Sequence, residues 1–294
     1  MSNSTYKRRP GDRNDGRLLR SLPGFAKFIP FIMVSRNDAC NQFADSVEIS
    51  DADRWLRSQR VNGYKGIGFL HVIIAAYVRC IALYPGINRF INGRRIYARS
   101  DIQVVLTVKR SLELNAAETT IKVHFDPSDT IYDVYRKMNH QIDEIKSDDT
   151  GNGTEEFANK LSRAPRFIFR FALWAINVMD YFGWLPQSLL EISPFHGSMI
   201  ITDMGSLGIK PIYHHIYNFG NLPVFIAFGA KRKEFELNRR GEMVERKYLD
   251  MKATLDERTV DGHYYATVLK NLKYFIANPQ LLEQPPEKVV EDVF

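Results

Sequence analysis

Apolar and polar positions alternate through Tyr248–Leu255. Leu249, Met251, Ala253 and Leu255 fall on one face, and Tyr248, Asp250, Lys252 and Thr254 on the other. That period of two predicts a half-buried strand. Thr119–Phe125 alternates in the same way, and Val104–Val108 is rich in β-branched residues, so both read as strands. Val224–Gly229 is a continuous apolar run closed by glycine and predicts a buried strand. Ile131, Val134, Met138, Ile142 and Ile145 mark one face of a helix, as do Tyr265, Val268, Leu269, Leu272, Phe275 and Ile276. Strands and helices mix without strict alternation, which favours an α+β sandwich over a doubly wound sheet. Residues 147–154, built from Ser, Asp, Asn, Gly and Thr, predict a loop.

From Arg163 to Leu190 the pattern changes. Phe167, Phe171, Trp174, Val178 and Tyr181 share one helical face, and Ile168, Ala172, Ala175, Met179 and Phe182 share the next. Only a narrow strip with Arg170, Asn177 and Asp180 is polar. A helix so broadly apolar packs in an oligomer, lies on a membrane surface or fills a groove on a partner. Arg170 and Asp180 interrupt it, which argues against a transmembrane span. The flanking Arg163, Arg166 and Arg170 suit an interfacial helix. Packing within the oligomer is the first expectation, and the segment also suits a lid over a site.

No Pro-, Gly- or Ser-rich linker divides the 294 residues, so one large domain is expected, with a flexible basic tail over 1–24, a folded unit over 25–285 and a C-terminal tail over 286–294. An apolar fraction of 45% and a charged fraction of 25% are those of an ordinary globular protein. Two cysteines, Cys40 and Cys80, are too few for a disulfide framework, which points to a reducing cytoplasm. The polar, Arg-rich start does not read as a signal peptide. The net charge of +6 is modest. Lys7, Arg8, Arg9, Arg13, Arg17 and Arg20 cluster near the N-terminus, but no nucleic-acid motif accompanies them. No His-x-x-x-His or Cys-x-x-Cys spacing occurs, so no metal site is expected.

Leu255-Asp256-Glu257-Arg258-Thr259-Val260-Asp261-Gly262 resembles the Asp-His-Arg-x-x-Asp-Gly signature of the acyltransferase component of 2-oxo acid dehydrogenase complexes, itself related to the His-His-x-x-x-Asp-Gly of chloramphenicol acetyltransferases. Gly197–Gly205 is similar to the family's Gly-Thr-Phe-Thr-Ile-Ser-Asn-Leu-Gly. Tyr84–Asn88 is similar to its Phe-Pro-Glu-Leu-Asn turn, and Ala277-Asn278-Pro279 to the end of its last helix. The likeness runs from about Phe25 to Leu282. It implies the chloramphenicol acetyltransferase-like fold, a two-layer α+β sandwich with a mixed sheet, assembled as a homotrimer with sites between subunits. It also implies coenzyme A or an acyl-CoA as substrate. The residues ahead of the first family-like segment are too few for a lipoyl domain, so no covalent lipoyl group is expected.

In the resembled family the signature histidine is the general base; here that position holds Glu257. A thiol has a pKa of about 8.5, imidazole about 6.5 and glutamate about 4.3, so a working Glu257 needs its pKa raised by burial. The alternative for Glu257 is a plain ion pair with a nearby arginine. His214 and His215 are the leading substitute bases, with His196 and His263 behind them. Thr202 takes the place of the serine that stabilises the oxyanion. The family also implies that Asp261 holds local structure through a buried ion pair, with Arg258 assisting, and that Gly262 serves the backbone. The expected function is coenzyme A-dependent acyl transfer to a thiol, hydroxyl or amine. A catalytically inactive scaffold or binding subunit is the alternative.

Overall fold

The computed structural model describes residues 6–109, 118–147, 163 and 165–294. Its spine is β10 (Met243–Asp256), which pairs antiparallel with β2 (Cys40–Glu48) on one edge. On the other edge its C-terminal half pairs with β8 (Val224–Phe228) and its N-terminal half with β9 (Arg232–Leu237), both antiparallel. Beyond β8 lie β7 (Met199–Asp203), β5 (Ile102–Lys109) and β6 (Glu118–Phe125). The β8–β7 and β7–β5 pairs are parallel and β5–β6 is antiparallel, so the seven-stranded sheet is mixed.

The alternation read in the sequence sets the two faces of this sheet. Met199, Ile201, Ile226, Phe228, Met251, Ala253 and Leu255 point to one side. There they meet α2 (Ser50–Val61), α3 (Phe69–Leu83), α4 (Ile131–Ser147) and α7 (Gly262–Ala277), which form the second layer. Helix α3 is apolar nearly all round because it lies under its neighbours, and even His71 and Arg79 on it are buried. The opposite face carries a smaller cluster of Val105, Ile200 and Leu222 with Phe225.

A second sheet of three strands, β1 (Gly16–Leu18), β4 (Arg95–Arg99) and β3 (Arg89–Asn92), lies in the order β1-β4-β3. Gly93 and Arg94 turn the β3–β4 hairpin with φ of 53° and 57°. Two left-handed residues in a two-residue loop match the right-handed twist of the strands.

Four expectations need correction or limits. The basic tail does not stay free through residue 24: Arg13, Asp15 and Leu19 are buried and Gly16–Leu18 forms β1. Buried charge partners hold it, because Arg13 binds Asp15 at 2.8 Å and Asp180 at 2.7 Å. The C-terminal stretch is tied down as well, through Val290 N–H to Ala82 O at 2.8 Å and an Arg89–Asp292 ion pair. Among its described residues the apolar segment is broken into α5 (Arg166–Phe182), which ends at the left-handed Gly183, and a short helix, α6 (Gln187–Ile192), that begins within it. Residues 148–154 of the expected loop lie outside the described residues.

Candidate active site

Strand β10 ends at Asp256, and the chain turns at once through Glu257, whose N–H donates to Ala39 O at 2.9 Å. Asp256 is buried and binds Arg258 in a two-point pair, Nε at 2.8 Å and Nη2 at 2.7 Å. A second buried guanidinium, Arg36, places its Nε 3.7 Å from the same carboxylate. Arg36 also donates to the carbonyls of Tyr217 at 3.0 Å and Ile91 at 3.1 Å. Burial pulls the Arg36 pKa down to about 10, against the opposing pull of Asp256. Arg258 donates to Met33 O at 3.1 Å, and Tyr265 Oη donates to Asp256 O at 2.8 Å. The turn is therefore clamped from several sides, with two guanidiniums facing one carboxylate.

The buried ion pair expected at Asp261 is formed by Asp256 instead. Asp261 is exposed, and its Oδ1 accepts the Tyr264 N–H at 2.8 Å as the N-cap of α7. The reason is local: Asp256 ends a strand that runs into the core, whereas Asp261 has reached the surface where a helix needs a cap. Gly262 opens α7 at its exposed end, where a Cβ would meet nothing within 4 Å. Glu257 is half-buried, and among the described residues its carboxylate has neither an ion-pair nor a hydrogen-bond partner; the pair with a neighbouring arginine does not form. Arg258, the nearest candidate, is taken by Asp256.

Thr202 lies on β7, on the same face as Ile200 and Phe225. It stands opposite Ala227 on β8, which stands opposite Lys252 on β10. Lys252 Nζ sits 4.5 Å from the centre of the Tyr213 ring. From this row to Asp256 is four residues along β10 and two strands across. At about 3.4 Å per residue and about 4.8 Å per strand, Thr202 and the Glu257 turn are roughly 17 Å apart within one chain. A cleft of 590 Å³ opens on the β2 side of Lys252, with Lys210, Arg232, Asp45, Glu234 and Asp250 among its walls.

The structure sorts the four histidines. His214 packs flat on Phe225, with ring centroids 4.4 Å apart at 4°, and its backbone oxygen accepts from Thr254 Oγ1 at 2.6 Å. It therefore covers the Thr202 face of the sheet. Its Nε2 is buried with no hydrogen-bond partner among the described residues, and burial, aided by His215, lowers its pKa and favours the neutral ring. His215 is exposed beside Tyr217. His263 is exposed on α7. His196 is buried, with Nδ1 2.7 Å from Ser193 Oγ and Nε2 3.4 Å from Asp180. The sequence reading missed Arg36 and the partnership of Asp256; only their shared burial reveals them.

Residues 187–283 match the model of the 2-oxoacid dehydrogenases acyltransferase (catalytic domain) family. Comparison with curated proteins gives no match. Solved structures of similar fold include a probable dihydrolipoamide acetyltransferase from Listeria monocytogenes. It is 13% identical with a TM-score of 0.57, over 89% of this chain and 94% of that one. The cubic core of the pyruvate dehydrogenase multienzyme complex is 10% identical with a TM-score of 0.57, over 90% and 93%. A chloramphenicol acetyltransferase is 13% identical with a TM-score of 0.53, over 89% and 99%. At such identities the structural likeness is one of fold. The chain thus has the chloramphenicol acetyltransferase-like fold over most of its length and, within residues 187–283, the sequence pattern of the 2-oxoacid dehydrogenase acyltransferase catalytic domain.

Proposed function

We propose that this protein transfers an acyl group from a coenzyme A thioester to a thiol, hydroxyl or amine acceptor, in a site completed between copies of the chain. The observation that carries this reading is the separation of Thr202 and Glu257. Both match positions that serve as oxyanion donor and base in the family the sequence resembles, and they lie roughly 17 Å apart in one chain. A homotrimer brings the Glu257 turn of one copy to the Thr202 face of the next. The similarity to a cubic core, itself an assembly, supports a homo-oligomer as the working unit.

The acceptor's X–H group attacks the thioester carbonyl while a base removes its proton. The oxyanion of the tetrahedral intermediate accepts a hydrogen bond from Thr202 Oγ1. The C–S bond then breaks, and the coenzyme A thiolate takes the proton back from the base. Glu257 supplies that base across the interface, where a neighbouring copy would close it off from water. His214, neutral and on the Thr202 face, is the base available within the same chain. The surplus guanidinium at Arg36 favours negative charge close to the turn.

The test is thiol release from acetyl-CoA and longer acyl-CoAs for Thr202→Ala, Glu257→Gln, and oligomers assembled from both variants together. Each variant alone is expected to lose about 10²–10³ in kcat. Mixed oligomers are expected to regain about a quarter of the wild-type rate, because one site in four then receives both native groups. No recovery in verified mixed oligomers places the base within the chain and directs attention to His214. No release by the wild type with a broad acceptor panel overturns acyl transfer.

A second reading, a binding or scaffold subunit, is favoured by one observation: Glu257 is only half-buried, and no ion pair or hydrogen bond among the described residues holds its carboxylate. That reading predicts acyl-CoA binding without turnover. Activity that depends on Glu257 rules it out.

A further inference from the structure

Two helices leave aromatic side chains uncovered. On α1 (Gly24–Ile32), Phe25, Phe28, Phe31 and Ile32 are each more than half exposed, and on α5 so are Phe167, Phe171 and Trp174. The two helices meet at one hairpin tip. Arg94 lies over the Phe31 ring at 5.8 Å, and a Cβ on Gly93 would stand 2.6 Å from the Tyr181 carbonyl oxygen.

Among the described residues, the charges that line these aromatic residues are mostly cationic. Arg163 and Arg166 stand at the start of α5, Arg170 follows one turn on, and no acid occupies the first turn. A helix N-terminus already carries partial positive charge, so guanidiniums there raise a local potential that an external anion relieves. Beside α1 a 310 Å³ pocket has an apolar floor including Leu19 and Ile96 and is walled by Arg20, Lys27, Arg94 and Arg95, with no carboxylate in its lining. Helix α1 contains no acid, and Asp180, the only acid of α5, is buried on Arg13. A second copy meeting these faces through the same faces would set cation against cation. Arg20 has Asp12 at 3.5 Å, whereas Lys27, Arg94, Arg95, Arg166 and Arg170 have no ion-pair partner among the described residues. Aromatic residues amid such cations match an anionic bilayer surface, where the rings enter the headgroup boundary and the cations meet lipid phosphates.

We infer that α1, the Gly93–Arg94 tip and α5 together form a platform that docks on anionic lipid membranes. Among the described residues no helix is long and apolar enough to cross a membrane, so the contact is peripheral. The inference is independent of the acyl-transfer reading.

The full-length protein is mixed with phosphatidylcholine vesicles, with and without phosphatidylglycerol, and floated on a density gradient. Its oligomeric state is followed by light scattering. Flotation is expected only with phosphatidylglycerol and is expected to weaken as salt screens the charges. Phe28→Glu and Phe171→Glu are each expected to weaken vesicle binding about tenfold or more. Phe235→Glu, at an exposed aromatic residue on β9, is expected to leave it unchanged. These side chains are exposed, so the variants are expected to fold, and unchanged circular dichroism checks that. No flotation, or equal flotation with both vesicle types, overturns the inference. So does a Phe171→Glu variant that splits the oligomer while vesicle binding persists, because the face is then an interface between copies.

Discussion

Asp256 and Arg258, two residues apart on either side of Glu257, form a buried two-point ion pair with N–O distances of 2.8 and 2.7 Å. The pair holds the turn that presents Glu257. Removing one partner of a buried pair leaves an uncompensated charge and costs about 3–5 kcal/mol. Asp256→Ala and Arg258→Met are therefore expected to lose about that much stability in urea unfolding. Asp261→Ala removes only an exposed N-cap and is expected to cost about 1 kcal/mol. Equal losses at 256 and 261 would contradict this assignment.

Arg13 ties the N-terminal segment to α5 through Asp180. Arg13→Met is expected to lower stability by about 3–5 kcal/mol and to free the helix end. Limited proteolysis should then cut between Phe182 and Leu185 faster than in the wild type. An unchanged cleavage pattern would mean that packing, not the ion pair, holds the helix.

His71 gives a pH dependence with a definite sign. Its Nδ1 accepts the Gly68 N–H at 3.2 Å, which requires the unprotonated nitrogen. Burial brings its pKa from 6.5 down to about 4. Between those values the unfolded chain binds more protons than the folded one, so stability is present above pH 6.5 and falls as pH drops toward 4. His196 and His214, also lowered by burial, act in the same direction. Asp53, held at about 2 by Lys231 and Lys247 against its own burial, loses its contribution only below the ordinary value of 3.8. The Tm is expected to fall from about pH 7 to about pH 5, and to fall less in His71→Gln. An identical fall in the variant would remove His71 as a source.

His214→Ala separates the two candidate bases. If the base lies within the chain, thiol release from acyl-CoA is expected to drop about 10²–10⁴-fold. If Glu257 acts across the interface, the drop is expected to stay within about tenfold, because only the packing on Phe225 is lost.

What the sequence determined is the local pattern. A period of two in Tyr248–Leu255 dictates a strand with one buried face, and that face is where Met251, Ala253 and Leu255 pack. The 3.6-residue period of Ile131, Val134 and Met138 likewise dictates a helix with one buried stripe. The ordered signature residues carried the fold and the acyltransferase likeness, because they sit at the ends of strands whose periods are legible. The tertiary structure decided which charge meets which. Asp180 looks like the polar strip of a surface helix, yet it is buried because Arg13, 167 positions earlier, reaches it. Asp256 and Asp261 are chemically alike, and only the path of the chain makes one a buried ion-pair partner and the other a cap. The spacing of Thr202 and Glu257 is also tertiary: 55 residues of sequence do not state a distance, whereas strand order and register put them roughly 17 Å apart.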